Sequence, residues 1–393
     1  MGVRLVHLAD LHLGFRQYHR LTPTGINQRE ADVAHAFRRA IDRVIALAPD
    51  IVVIAGDVFH TVRPMNPAII DAFTQFARLT SSLPDTIVVM VAGNHDRPRA
   101  TETGCILKLF GKLGVHVVVD EPKRIPFPER DLSILAVPDL TGPRPELAPD
   151  PEARHNVLVM HGEVEGVLPH GGDRAAMEIP RSALAASRWS YIALGHYHVH
   201  QRIEDNVYYS GSLEYTSTDP WSELEQEAQL RLPGKGFIEY DLDDAAHTFH
   251  HVPASRALVS LDSIAARGMS AAELDIAIRN ACSDCEGGIE EKIVRLVVRD
   301  VPRHIVRELD TRALRELKRR AMHFHLDTRR PDATRPSGMG SGRRPTLVEM
   351  VTAYLQKRPL DEELDRAALV QLGLEYLKQA DDAEVAAAAA PRD

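Results

Sequence analysis

The chain has 393 residues, 44% of them hydrophobic and 26% charged, with a formal net charge of −9 and three cysteines. That length points to two or three domains of ordinary globular composition, and no apolar stretch is long enough to span a membrane. An odd cysteine count argues against a disulfide framework and fits a reducing cytoplasm, while the acidic balance does not announce a nucleic-acid binder, although bound cations and local patches both hide behind a whole-chain charge.

The first strand is expected almost at once, leaving no room for a signal peptide: Leu5-Val6-His7-Leu8-Ala9 runs into Asp10-Leu11-His12. A polar loop, 14–25, carries Arg16, Tyr18, His19 and Arg20. The next helix starts where Asn27 and Glu30 have the spacing of a capping box, and Val33, Phe37, Ala40, Ile41, Val44, Ile45 and Ala48 share one face. Pro49-Asp50 stops it. Ile51-Val52-Val53-Ile54-Ala55 then runs into Gly56-Asp57-Val58-Phe59-His60, completing a strand–helix–strand crossover.

Pro67 suits the start of a second helix with the stripe Ile69, Ile70, Phe73, Phe76 and Ala77. Ile87 to Ala92, an unbroken run rich in β-branched residues, reads as a strand buried on both faces and ends in Gly93-Asn94-His95-Asp96. A further helix is expected over about 103–113, with Ile106, Leu107, Leu109 and Phe110. Strands at Val115–Val119 and Leu132–Val137 are assigned to the second sheet of a sandwich, and five prolines between Pro138 and Pro151 mark a surface loop. Val157-Leu158-Val159-Met160 runs into His161-Gly162, and Tyr191-Ile192-Ala193-Leu194 into Gly195-His196-Tyr197-His198. Between them, the loop 166–180 holds His170 and Arg174 without an assigned role.

From about Lys235 the character changes. Phe237–Asp241 and Thr248–Val252 read as an antiparallel pair, followed by a helix over about Ser270–Cys282 and a strand at Ile293–Val298. Cys282 and Cys285 form a C-x-x-C with no second pair or nearby histidine, so they read as ordinary residues. Arg312 to Arg320 is a basic helix, either a solvated face or a phosphate-contacting surface. A linker rich in Arg, Pro, Gly and Ser follows. Thr346 and Glu349 then cap a helix striped by Leu347, Val351, Tyr354 and Leu355, and a second, about 361–380, presents Leu364, Leu369, Leu372, Tyr376 and Leu377. Two such helices after a linker fold back on the body or dock on a partner.

Five hydrophobic strands therefore end in Asp, Asn or His. One such end is as well explained by a capping Asp or a satisfied buried His; five in order are not. Open α/β sheets hold ligands at the carboxyl ends of their strands. A pair of divalent ions about 4 Å apart needs a bridging carboxylate with neutral oxygen and nitrogen donors on either side. Imidazole with carboxylate suits manganese, iron or zinc better than magnesium or calcium.

In the order D-x-H, G-D, G-N-H-D, H, G-H-x-H, these stretches resemble the calcineurin-like metallophosphoesterases. Gly56-Asp57-Val58-Phe59-His60 with Arg63-Pro64 is similar to the SbcD nucleases of double-strand-break repair, which work with an SMC-like ATPase. The resemblance implies an α/β fold, a two-sheet αββα sandwich with a small α+β cap domain and a C-terminal helical tail. It divides the chain into a nuclease domain (1–232), a DNA-guiding cap (233–328), a linker (329–345) and an ATPase-binding tail (346–380). By position, Asp10, His12 and His198 would hold one ion, and Asn94, His161 and His196 the other, with Asp57 bridging. Two divalent metals are implied, manganese first, with iron or zinc as alternatives.

His95, left without a metal position in that pattern, is the candidate to donate a proton to the leaving group, and His60 matches a second active-site histidine that orients the substrate strand. The resemblance further implies a homodimer through the helices around Ile69 and Leu109, an SbcC-like coiled-coil ATPase as partner of 346–380, DNA as substrate, and a cytoplasmic, nucleoid-associated location. Exonuclease action on duplex ends and endonuclease action on single strands or hairpins would follow. The rival readings are a phosphodiesterase for small or cyclic nucleotides, a non-catalytic scaffold bridging DNA ends, and a paralogue in a defence system.

Overall fold

The computed structural model describes residues 2–98, 104–142, 145–167, 175–331, 346–357 and 365–389. They fall into two compact units, Met1–Arg330 and Pro331–Asp393. His170, Arg174, Leu364 and the 332–345 part of the linker lie outside the described residues.

The larger unit begins with the crossovers expected from the apolar runs: β1 (Arg4–Leu8), α1 (Gln28–Leu47), β2 (Ile51–Ile54), α2 (Asn66–Ser82), β3 (Ile87–Val91), a 3₁₀ helix (Ile106–Leu113) and β4 (His116–Val118). There follow β5 (Lys123–Phe127), β6 (Leu132–Val137), β7 (His155–His161), the two-residue β8 (Glu163–Val164) and β9 (Glu178–Ile179), β10 (Tyr191–Gly195), β11 (Gln201–Glu204), β12 (Val207–Tyr209), α3 (Pro220–Gln229) and the hairpin β13 (Gly236–Asp241) and β14 (His247–His251). The unit closes with β15 (Leu258–Ala265), α4 (Ala271–Ser283), β16 (Ile293–Arg299), α5 (Arg303–Glu308), α6 (Thr311–Arg320) and β17 (His323–Thr328).

Two six-stranded sheets result, ordered β14-β13-β1-β2-β3-β4 and β11-β12-β10-β7-β6-β5. The period of two along each strand sorts its side chains between layers. Val6, Leu8, Val52, Ile54 and Met90 pack under Phe37, Ile41 and Val44 of α1 and Phe76 of α2. Leu5, Ile51, Val53, Val89 and Val91 meet Ile134, Val157, Val159 and Ala193 of the other sheet. The outer face of that second sheet is covered by Val164 and Ile179 of β8 and β9, and by Leu184 and Trp189.

Two expectations change. The strand at 116–118 pairs with β3, Val91 opposite Val118, so it extends the first sheet and not the second. The hairpin assigned to the cap pairs antiparallel with β1, Leu5 opposite Tyr240, because Phe237 and Ile238 are buried on opposite faces of the first sheet. The helix expected near 103–113 is present over Ile106–Leu113, in 3₁₀ form, and is ended by Gly114 at φ +83°.

The capping box at Asn27 does not close either. Asn27 accepts from the Arg29 N–H, but Glu30 turns away to take Arg16 at 2.7 Å.

Arg29 is fully buried and ties α1 to later chain. It pairs with Asp32 at 3.1 Å and Glu214 at 3.3 Å and donates to the Tyr215 carbonyl at 2.8 Å. Removing it would leave the buried Glu214 carboxylate without its cation, a loss of about 3–5 kcal/mol, while Asp32 keeps Arg256 at 3.1 Å.

The three parallel strands β15-β16-β17 have a core of their own, with Leu274 and Ile278 of α4 against Val294, Leu296, Val298 and Phe324. Here a capping box does close, Ser270 with Glu273.

The smaller unit is α7 (Leu347–Lys357) and α8 (Arg366–Ala389). Thr346 and Glu349 form the expected reciprocal cap. Arg366 donates to the carbonyls of Leu355 and Gln356, holding the start of α8 to the end of α7. Tyr354, Leu372 and Tyr376 are exposed. Among the described residues no helix is long and apolar enough to cross a membrane.

Candidate metal centre

All nine residues singled out from the sequence come together where β1, β2, β3, β7 and β10 end. The β1 and β2 loops run side by side, Asp10 N–H donating to the Gly56 carbonyl at 3.1 Å and His12 N–H to that of Asp57 at 2.9 Å. Asp10, His12, Asp57 and His196 all lie at positive φ, between 44° and 107°. Side chains that are not glycine adopt this region at a cost, and strain of that kind collects at functional sites.

Hydrogen bonds hold the strained loops. Asp10 accepts the His196 N–H at 2.9 Å, and Asp57 Oδ1 accepts that of His95 at 2.9 Å. Asp96, wholly buried, accepts from the N–H groups of Val58, Phe59 and Gly93, clamping two of the loops together. Gly56 is required by close approach, since a Cβ there would strike the His161 ring. At Gly93 a Cβ would strike the Asp57 carboxylate.

Two groups of donors form, Asp10, His12 and His198 on one side and Asp57, His161 and His196 on the other. His12 Nε2 and His198 Nε2 are 2.9 Å apart. Asp57 Oδ2 lies 3.7 Å from His12 Nε2 and 3.5 Å from His161 Nε2, so one carboxylate oxygen faces both groups. Asn94 Oδ1 joins the second group, 2.9 Å from His161 Nε2 and 3.3 Å from His196 Nδ1. Two donors on one ion, each about 2.1 Å from it, stand at most about 4.2 Å apart. Each of these separations meets that limit.

The donor set fits a cation in a second way. His161 donates its Nδ1–H to the Ala55 carbonyl at 2.9 Å, leaving a lone pair on Nε2, and that lone pair faces the amide oxygen of Asn94. Acceptor meets acceptor, an arrangement that a positive charge between them relieves.

Electrostatics agree. Burial pushes Asp10 up to about 7 and raises Asp57. Burial and the neighbouring imidazoles hold His12 well below its ordinary value, and burial brings His161 and His196 down to about 4. The pocket thus favours neutral His12, His161 and His196 around carboxylates that are unfavourable as bare anions, while at His198 burial is outweighed by the hydrogen bond to Glu223, which raises the ring above its ordinary value.

His95 and His60 stand at the edge. Their rings stack with centroids 5.2 Å apart, and His95 Nδ1 donates to the His60 carbonyl at 2.8 Å. His60 Nδ1 is 3.3 Å from His12 Nδ1, and His12, His60 and His95 make a third convergent group that lacks a carboxylate.

Sequence reasoning missed Glu163, Glu223 and Lys235. Glu163 follows His161-Gly162 directly and could have been asked about from that position. Glu223 and Lys235 carry no local signal, since charged residues on a short helix and after a turn read as solvated. Only folding brings Glu223 to His198.

Residues 3–200 match the calcineurin-like phosphoesterase family, and the chain belongs to it. Its relatives include the DNA double-strand break repair protein Mre11 of Methanocaldococcus jannaschii, 28% identical over 60% of this chain and 62% of that protein. Mre11 of Methanococcus maripaludis is 26% identical over 61% of this chain and 63% of its own length, and that of Methanopyrus kandleri 28% over 61% and 54%. The chain thus spans less than two thirds of the curated relatives it matches.

Proposed function

We propose that this chain is a two-metal-dependent DNA nuclease of double-strand-break repair, exonucleolytic on duplex ends and endonucleolytic on single strands or hairpins. The observation that carries the chemistry is the Asp57 carboxylate, one oxygen of which faces two separate groups of imidazole and oxygen donors. The relatives' name supports DNA as the substrate.

Asp10, His12 and His198 would hold one divalent ion and Asn94, His161 and His196 the other, with Asp57 shared. Manganese is the expected metal, with iron or zinc as alternatives. When bound, the pair supplies a more acidic water and neutralises charge on the phosphodiester. The chain's own residues do the rest. The loop hydrogen bonds of Asp10, Asp57 and Asp96 preset the donors before substrate arrives. His95, its Nδ1–H committed to the His60 carbonyl, would act as the imidazolium, giving its Nε2 proton to the leaving oxygen and ending as the neutral Nδ1–H tautomer, and His60 stacks against it to fix the ring.

The unit built on β15-β16-β17 would guide DNA, and 346–380 would dock on an SMC-like coiled-coil ATPase, as the resemblance implies. A homodimer contact would involve Ile69 and Leu109. Both are half-buried in the single chain, and Ile70 and Met65 beside Ile69 are 65% and 53% exposed. An Ile69→Asp variant should sediment as a monomer where the parent is a dimer; identical sedimentation would put the contact elsewhere.

The substrate is tested by comparing bis-p-nitrophenyl phosphate with linear duplex DNA in manganese. Preferred turnover of DNA, starting from its ends, is expected. Brisk turnover of the small diester with intact DNA would favour a small-molecule phosphodiesterase.

A further inference from the structure

The two histidines of Gly195-His196-Tyr197-His198 point opposite ring nitrogens into the pocket, and each puts its other nitrogen against a buried carboxylate. His196 Nε2 donates to Glu163 Oε1 at 3.2 Å, leaving Nδ1 toward Asn94. His198 Nδ1 donates to Glu223 Oε1 at 3.3 Å, leaving Nε2 toward His12. Glu163 is 3% exposed and Glu223 6%. The carboxylates come from different places, β8 just after His161 and helix α3, yet one stands behind each donor group.

Their surroundings differ. Glu223 is ion-paired to Lys235, itself 2% exposed, whose ammonium also lies 3.0 Å from Glu227 and donates to the His198 carbonyl at 2.9 Å. Two carboxylates against one ammonium leave a net negative charge sealed behind His198. Glu163 is steadied by the Ala175 N–H at 3.0 Å. A carboxylate accepting the far N–H of an imidazole fixes its tautomer and orientation and makes the near nitrogen a stronger ligand.

We infer that Glu163 and Glu223 are positioning residues, one for each of the two cations. Glu163 fixes His196 with Nδ1 inward, and Glu223, locked by Lys235, fixes His198 with Nε2 inward. The inference rests on the two-metal reading above. If these carboxylates only satisfied buried imidazoles, their loss would lower stability and leave cation affinity alone.

The test is a manganese titration of the full chain by calorimetry, with electron paramagnetic resonance to follow the spin-coupled pair. Parent, Glu163→Gln, Glu223→Gln and the double variant are compared, glutamine keeping the size and removing the charge. The parent should take two equivalents. Each single variant should weaken one of them by about 10- to 100-fold and delay the coupled signal to higher manganese. The double variant should weaken both.

Glu223→Gln leaves Lys235 paired one-to-one with Glu227, so this variant should show its weakened equivalent at close to the parent's melting temperature. Titrations that superimpose on the parent's would overturn the inference. So would a loss of both equivalents in step with unfolding. A parent that takes up no manganese would instead sink the two-metal reading itself.

Discussion

Replacing His95 with alanine is expected to lower the rate of DNA cleavage by about 10²- to 10⁴-fold while leaving both bound metal ions in place. The ring lies outside both carboxylate-bearing donor groups and touches the pocket through its stack on His60 and an edge contact with His12. The ring's bond to the His60 carbonyl is lost on substitution, but the contact that holds Asp57 comes from the His95 backbone N–H and survives it. Metal content by mass spectrometry and turnover on linear duplex DNA separate the two contributions. Loss of an ion on substitution would mean that the all-imidazole group of His12, His60 and His95 is a cation site. Undiminished cleavage would remove the proton-transfer role.

The second large effect is at Asp57. An Asp57→Asn variant should fall in activity by at least about 10³-fold and bind both cations more weakly, because one oxygen of its carboxylate faces both donor groups. Asparagine keeps Oδ1 to accept the His95 N–H but puts an amide nitrogen, which has no lone pair to offer a cation, where Oδ2 faces His12 and His161. The fold should survive, since burial already disfavours the charged form of Asp57. Calorimetric manganese titration reads the effect directly. Two unaltered equivalents in this variant would show that Asp57 bridges nothing.

Much of this was legible before folding, and the parts that were not share a cause. Runs such as Ile87–Val91, closed by glycine and polar residues, announce both a buried strand and what stands at its end. All seven candidate ligands and both histidines consequently converge. Periodicity tells which face of a strand is buried but not which sheet the strand joins. For that reason the apolar pattern of 116–118 and of the 236–251 hairpin leaves their sheet open, and pairing to β3 and β1 settles it.

Glu30 has the right spacing for a capping box yet is captured by Arg16, a contact invisible to local rules. Glu223 and Lys235 fail in the same manner. Each is an unremarkable charged residue until the fold buries it behind His198.

The most direct test is anomalous diffraction at the manganese edge from crystals grown with manganese. Two peaks per chain about 4 Å apart are predicted, one among Asp10, His12 and His198, the other among Asn94, His161 and His196, with Asp57 touching both. A single peak, or density only among His12, His60 and His95, would contradict the shared-carboxylate centre and the hydrolytic reading built on it.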